Sequence, residues 1–441
     1  MSIKGRQITL SFLLLSIFTG LPGAVNSAKL RHIKFSSTKS SFTTETQRHR
    51  ENCSKVLSHF DSLSGSVAQW LCGKFVVYKF KEFKPLRHKT RQIKLGGLDI
   101  GGDAPISVQS MCNTDTRDVA ATLAQIETLQ AAKCEIIRCA VPDLEAAEAL
   151  AAINQGCQIP LIADIHFDYQ LALTAVANGV DGLRLNPGNI GERWKVEEVV
   201  KACSERQVPI RIGVNAGSLE RELLLKYGHP TAEAMVESAL GHIRILEDLN
   251  YQNIKVSLKA SDIARTVEAY RALATRVDYP LHIGVTEAGT TWSGTIKSAI
   301  GLGSLLYDGI GDTLRVSLTG DPVEEVRVGW EILKSLRLRE KGPIFVSCPT
   351  CGRCQIDLIE IAEEVEQRLQ DFPQPLTIAV MGCVVNGPGE AREADLGIAG
   401  GLDQGILFRH GEVVRKVPQK ELADALVDEA WKLVADQSSS E

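Results

Sequence analysis

Cys348-Pro-Thr-Cys351 and, farther on, Cys383 in Met381-Gly-Cys-Val-Val-Asn-Gly-Pro-Gly-Glu390 carry the clearest chemistry in this chain. The first pair stands at C-x2-C spacing after the short apolar run Ile344–Val346. Cys383 follows the strand-like run Leu376–Met381 and precedes a Gly-Pro-Gly turn. Soft thiolates on two strand-end loops suit an iron–sulfur cluster or zinc. Glu390, placed by the stiff turn, offers a fourth, oxygen ligand. A structural zinc knuckle and three unconnected core cysteines fit the same spacing. Cys354 extends the motif to C-x2-C-x2-C and is a further candidate ligand, whereas the C-x3-C-x2-C of radical-SAM chemistry does not occur.

The second constellation is cationic. Residues i and i+2 of a strand share a face, and in several short runs one parity is polar. Asp164 and His166 flank Ile165; Arg184 and Asn186 flank Leu185; Arg211 and Asn215 alternate with Ile212 and Val214. Lys255, Ser257 and Lys259 alternate with Val256 and Leu258, and Arg315 and Ser317 with Val316 and Leu318. The apolar parity must lie under covering helices, so the polar parity lines an interior and its mouth. A purely structural barrel fills that interior with Val, Ile and Leu. Arg138, Arg184, Arg211, Lys259 and Arg315 outnumber Asp164, Glu287 and Asp312, and arginine's fixed fork suits phosphate oxygens. The expected ligand is therefore anionic and phosphorylated, with buried ion pairs to those acids as the alternative. Gly217-Ser218 and Thr319-Gly320-Asp321 add backbone donors at strand–helix junctions. His166 reads as a general acid or hydrogen-bond donor, or as a structural strand-end histidine. Glu287 in Thr286-Glu-Ala-Gly289 reads as a proton donor or acceptor, or as an arginine's neutralising partner.

The elements that would position these groups alternate regularly. Apolar runs at Ile106–Met111, Glu135–Val141, Leu161–Ile165, Gly182–Asn186, Ile210–Asn215, Ile254–Lys259, Leu281–Thr286 and Thr313–Leu318 are separated by amphipathic stretches. Eight β–α alternations predict a (β/α)8 TIM barrel over residues 87–340. No G-x-G-x-x-G opens a helix to favour an open dinucleotide-binding sheet. Residues 341–441 read as a small α+β module: a helix over Ile356–Leu369, a strand over Leu376–Met381, a hairpin through Gly411 and a last helix over Glu421–Val434. By fold analogy the module resembles the cluster domains of sulfite and nitrite reductases, and a polar linker is expected near Arg337–Gly342.

Residues 1–86 hold 13 Lys/Arg against 4 Asp/Glu, while residues 87–441 hold 36 against 50. The acidic body argues against bulk nucleic-acid binding. Lys4 and Arg6 precede an uncharged stretch resembling a signal h-region, broken by Gly20, Pro22 and Gly23, so no membrane span is expected. The Ser/Thr-rich basic segment that follows is transit-peptide-like or disordered, and residues 51–86 lack clear periodicity. This extension is expected to take no part in the chemistry. Eleven scattered cysteines do not resemble a disulfide framework and indicate a reducing compartment, the cytoplasm or, with a transit peptide, a plastid. Cys112, Cys134, Cys139, Cys157 and Cys203 read as small buried residues.

Taken in order, APISVQSMCNTDT, PLIADIHFDY, LRLNPGNIG, PIRIGVNAGSLE, KVSLKAS, TEAG, LRVSL, CPTC and MGCVVNGPGE resemble the 4-hydroxy-3-methylbut-2-enyl diphosphate synthase family of the methylerythritol phosphate route, in its bacterial short form. The resemblance implies a barrel followed by a 4Fe–4S domain, usually as a homodimer. The implied reaction is reductive opening of 2-C-methyl-D-erythritol 2,4-cyclodiphosphate to the allylic diphosphate, with a flavodoxin or ferredoxin as electron donor. It implies Cys348, Cys351 and Cys383 as cluster ligands, with Glu390 on the fourth iron until substrate displaces it. It further implies Arg138, Arg184, Arg211, Lys259, Arg315 and Ser317 as the diphosphate grip and Glu287 as an acid/base; Asp164, Asn186 and Asn215 share that inward set. Cys354 lies outside the family's ligand set. A zinc-stabilised non-redox barrel and a non-enzymatic cluster carrier remain the readings from other classes.

Overall fold

The computed structural model describes residues 68–71, 74–77, 86–370, 372–383 and 393–438. In the N-terminal extension, Ala68–Leu71 (β1) and Lys74–Val77 (β2) pair antiparallel, where the sequence offered no confident element. The signal-like and Ser/Thr-rich stretches lie outside the described residues.

Ile93–Leu95 (β3) and Leu98–Ile100 (β4) form a second antiparallel hairpin, also unforeseen. It turns at Gly96, whose φ of +56° lies in the left-handed region that glycine adopts without strain. Alternation aims Ile93, Leu95 and Ile100 one way, onto Ile136 and Ile162 at the N-terminal ends of two barrel strands. The hairpin therefore plugs the end of the barrel opposite the mouth.

The barrel strands are Ser107–Met111 (β5), Ile136–Ala140 (β6), Leu161–Asp164 (β7), Gly182–Arg184 (β8), Ile210–Asn215 (β9), Ile254–Lys259 (β10), His282–Ile283 (β11) and Thr313–Leu314 (β12). They pair in parallel in the order β10-β9-β8-β7-β6-β5-β12-β11. A bridge from Val256 to Leu281 joins the two ends, so all eight expected units are present. The last two strands are shorter than their apolar runs. The chain leaves the ladder at Gly284, where Lys259 Nζ and the Arg315 carbonyl fill the space a side chain would take.

Five of the helices between the strands share one device. Asp118, Asp143, Asp168, Asp262 and Asp321 each cap a following helix, accepting a backbone N–H from its first turn. The apolar faces of these and the Thr231-capped helix Ala232–Glu247 bury Ile126, Leu150, Ile243, Tyr270 and Leu333 against the outward parity of the strands in one continuous core.

The C-terminal sheet runs Ile344–Ser347 (β13), Thr377–Met381 (β14), Leu396–Ala399 (β15), Gln404–Arg409 (β16) and Glu412–Pro418 (β17). The first three are parallel and the last pairs antiparallel. Helices Leu358–Arg368 and Leu422–Ser438 cover it with Ile361, Val365, Leu426 and Leu433. Strand β15 was not foreseen. Gly397 in its middle breaks the apolar pattern because Phe408 and the Ala379 carbonyl occupy the space of a side chain. The expected linker is tied down rather than loose: Arg339 meets Glu135 at 2.9 Å, and Lys341 lies over the Trp330 ring at 4.2 Å.

Candidate active site: a cationic barrel mouth and a cysteine-bearing loop pair

The inward parity of the barrel carries charge at its C-terminal end, as the alternation requires. Arg138, Asp164, Arg184, Asn186, Arg211 and Lys259 are all buried, and Arg315 is half-buried. Asp164 holds two of the cations, with Arg184 Nη1 at 3.2 Å and Arg138 Nε at 3.5 Å. Burial pushes this carboxyl up, but Arg138, Arg184 and Arg211 outweigh it and hold the group below the usual carboxylate range. Arg184 also donates to the Gly213 carbonyl at 2.9 Å. Asn186 clamps Gly213 from both sides, accepting from its N–H at 2.8 Å and donating to its carbonyl at 3.1 Å. Arg138 and Arg315 both turn N–H groups toward Met111 Sδ.

His166 is exposed at the mouth, 3.3 Å from Arg184 Nη1 through Nδ1 and 3.7 Å from Asp164 through Nε2. It is thus in reach of a ligand and joined to the charged network. Ser317 is half-buried just past β12, and Asn215 half-buried at the end of β9. Glu287 is exposed and has a φ of +53°, a strained conformation for a residue with a Cβ.

One of the pairing acids read from the sequence needs correction, and another was missed. Asp312 does not neutralise the mouth. It lies at the entry to β12, where it holds Arg87 at 2.8 Å and accepts from the Leu281 N–H. The acid that does reach the mouth is Glu325, buried in the first turn of helix Pro322–Ser335. It pairs with Arg315 at 3.3 Å and accepts from the Leu318 N–H at 2.9 Å. In sequence it resembles an ordinary helix-start acid, so nothing marked it out. The junction donors at Thr319–Asp321 are likewise partly used, since the Thr319 N–H donates to the Gly289 carbonyl at 2.9 Å.

Positive charge therefore remains in excess. Burial, then Arg211, Arg138 and Arg315, pushes the Lys259 ammonium well below its ordinary value. Burial, then Arg138 and Arg184, acts on Arg211 the same way. Arginine stays charged in proteins, so these buried cations repel one another and suit an anionic ligand. Two inward glycines give the cations room: a methyl group on Gly213 would meet Arg184 Nε at 2.5 Å, and one on Gly284 would meet Lys259 Nζ at 2.6 Å. Sequence reading passed over both.

In the C-terminal sheet, parallel neighbours β13 and β14 end side by side and deliver Cys348 and Cys383 to adjacent loops. Cys348 Sγ accepts the Gly382 N–H at 3.2 Å. Cys351 is exposed, and the N–H and side chain of Arg353 lower its thiol pKa, favouring thiolate. Cys354 instead turns its thiol to the Ile356 carbonyl at 3.3 Å and packs against Gly382. Sulfurs receiving backbone N–H groups suit a thiolate-ligated centre. Among the described residues no group of three or more His, Cys, Asp or Glu closes around a single ion; a cluster spreads its cysteines over separate irons. Glu390 lies outside the described residues.

The chain matches the family models described as the GcpE TIM-barrel domain over residues 90–330 and the GcpE protein C-terminal domain over residues 344–432. It is 72% identical over 352 residues to the 4-hydroxy-3-methylbut-2-en-1-yl diphosphate synthase (flavodoxin) of Geobacter sulfurreducens, covering 80% of this chain and all of that one. The protein of the same name from Clostridium perfringens is 59% identical over 341 residues, 77% of this chain and 98% of its own. A crystal structure of dihydropteroate synthase from Stenotrophomonas maltophilia aligns at 13% identity and a TM-score of 0.43, over 56% of this chain and 97% of that one.

Proposed function

The chain belongs to the GcpE family, and from that membership we propose how its residues divide the work. The activity is reductive ring opening of 2-C-methyl-D-erythritol 2,4-cyclodiphosphate to (E)-4-hydroxy-3-methylbut-2-enyl diphosphate in isoprenoid biosynthesis, by an iron–sulfur oxidoreductase. Arg138, Arg184, Arg211, Lys259 and Arg315 grip the cyclic diphosphate, with Asn186, Asn215 and Ser317 orienting it. The observation that carries this reading is the buried cationic surplus, which Asp164 and Glu325 only partly offset. Asp164 fixes two arginines in place. His166 and Glu287, exposed at the mouth, are the groups placed to donate protons as the C–O bond breaks and oxygen leaves as water.

Cys348, Cys351 and Cys383 hold a 4Fe–4S cluster, with Glu390 as an exchangeable oxygen ligand. Such a cluster supplies electrons one at a time, which zinc does not. The names of the relatives support a flavodoxin as the donor, with a ferredoxin as the alternative. Residues 87–340 form the substrate domain, 341–441 the cluster domain, and 1–86 an accessory extension. Among the described residues no helix is long and apolar enough to cross a membrane. The scattered free cysteines support a reducing, cytoplasmic setting, and membership of the family supports a homodimer.

Anaerobically purified protein, assayed with the cyclodiphosphate and a dithionite-reduced mediator, tests the whole reading. Arg184→Ala and Arg315→Ala are expected to weaken substrate binding roughly ten- to hundredfold, about 1.5–3 kcal/mol for a charge-assisted contact, at unchanged iron content. Loss of iron in either variant would place those residues wrongly, and a colourless zinc protein would remove the redox chemistry.

A further inference from the structure

Beneath the mouth, the barrel interior holds polar groups that the barrel's own side chains do not satisfy. Gln109 on β5, Arg211 on β9, Lys255 on β10 and His282 on β11 are 1, 2, 2 and 0% exposed. The sheet register gathers them. Lys255 stands opposite Arg211, His282 opposite Thr313, and Thr313 opposite Ser107, which shares its face with Gln109. Five buried side-chain atoms here have no partner among the described residues: Gln109 Nε2 and Oε1, Arg211 Nε, Lys255 Nζ and His282 Nε2. Buried polar atoms are almost always paired, so this layer calls for a guest.

The donor and acceptor inventory decides which kind. Lys255 Nζ, Arg211 Nε and Gln109 Nε2 only donate, and Gln109 Oε1 only accepts. His282 Nε2 takes either role, depending on how Nδ1 shares its 2.8 Å bond with Thr313 Oγ1. Water would bring further protons to a layer already rich in donors. The acids are committed elsewhere: Asp312 to Arg87 and Thr90, Asp164 to Arg138 and Arg184, Glu325 to Arg315. Phosphate or sulfate would bring more oxygens than these few donors saturate.

We propose that Gln109, Lys255 and His282, with the Nε edge of Arg211, hold one small monovalent inorganic anion, of the chloride class, inside the barrel beneath the diphosphate site, so that Arg211 borders both. Lys255 lies about 13 Å below Lys259 along the same strand, at ~3.3 Å per residue. Burial, then the neighbouring Arg211, pushes its ammonium pKa down to about 7 against the opposing pull of Asp312, and an anion alongside would add to that pull. The anion offsets charge at the barrel floor while leaving the mouth cationic for substrate.

Crystals of the anaerobic holoenzyme grown with bromide replacing chloride, and measured at the bromine absorption edge, test this directly. The expected result is an anomalous peak within hydrogen-bond reach of Lys255 Nζ and Arg211 Nε, retained when the cyclodiphosphate is bound. In solution, replacing gluconate by chloride at constant ionic strength should raise the melting temperature, and Lys255→Met should lose both the peak and that shift. Density without anomalous signal means waters and overturns the proposal. Displacement of bromide by substrate overturns it too, because the layer is then the deep end of the substrate site. The wild-type peak decides the matter even if Lys255→Met does not fold.

Discussion

Gly213 shows how much of the site depends on a missing side chain. Asn186 clamps its backbone and the Arg184 guanidinium fills the space beside it. Gly213→Ala should push Arg184 off the Gly213 carbonyl and off Asp164. The expected outcome is a rise in KM of roughly ten- to hundredfold, about 1.5–3 kcal/mol, with circular dichroism unchanged. A residue-scale prediction also follows for acid stability. The folded-state pKa of Asp164 lies below its ordinary value, because Arg138, Arg184 and Arg211 outweigh burial. Its stabilising contribution is therefore present above the ordinary carboxylate range of about 4 and lost as pH falls through the lowered folded value. Denaturation midpoints measured from about pH 6 downward should fall in the wild type. Asp164→Asn should start less stable and show a flatter acid limb.

At the scale of elements, the β3–β4 hairpin and the two cysteine loops make opposite demands. The hairpin works through apolar burial alone: Leu95 is 1% exposed and sits against Ile136, Ile162 and the backbone at Gly182. Leu95→Ala should cost about 2–5 kcal/mol, read as a lower denaturation midpoint, with substrate affinity of the remaining folded protein unchanged. The loops after β13 and β14 work through their sulfurs. Cys348→Ser, Cys351→Ser and Cys383→Ser should each lose iron and sulfide on analysis. Cys354→Ser should keep both, since its thiol is occupied with the Ile356 carbonyl. Retention of the cluster in Cys383→Ser together with its loss in Cys354→Ser would reassign the ligands.

For the whole molecule, the question is where the working chain begins. Arg87 and Thr90 hold Asp312, and Arg91 pairs with Asp278 and lies over Tyr279. A chain starting at Arg87 should therefore keep folding and activity. One starting at Gln92 should melt earlier, because Asp312 is left buried without its cation. Parallel melting curves and turnover of the two truncations decide this. Loss of activity on removing residues 1–86 alone would give the extension a role that the barrel does not require.

The eight strands and their polar parity were legible from sequence, because a period of two and the need to bury one face leave little freedom. The placing of Cys348 and Cys383 on adjacent loops, and of the five cations on the inward parity, was legible from strand ends and alternation. The extra hairpins and β15 were not: three- or four-residue strands, one of them broken by Gly397, carry no periodicity to read. Which acid meets which base also had to wait for the tertiary structure. Asp312 and Glu325 are alike as sequence, but one stands at the entry to β12 and the other reaches Arg315 from the first turn of a helix. Pairing of charges depends on distance through space, and only the closed barrel sets that distance.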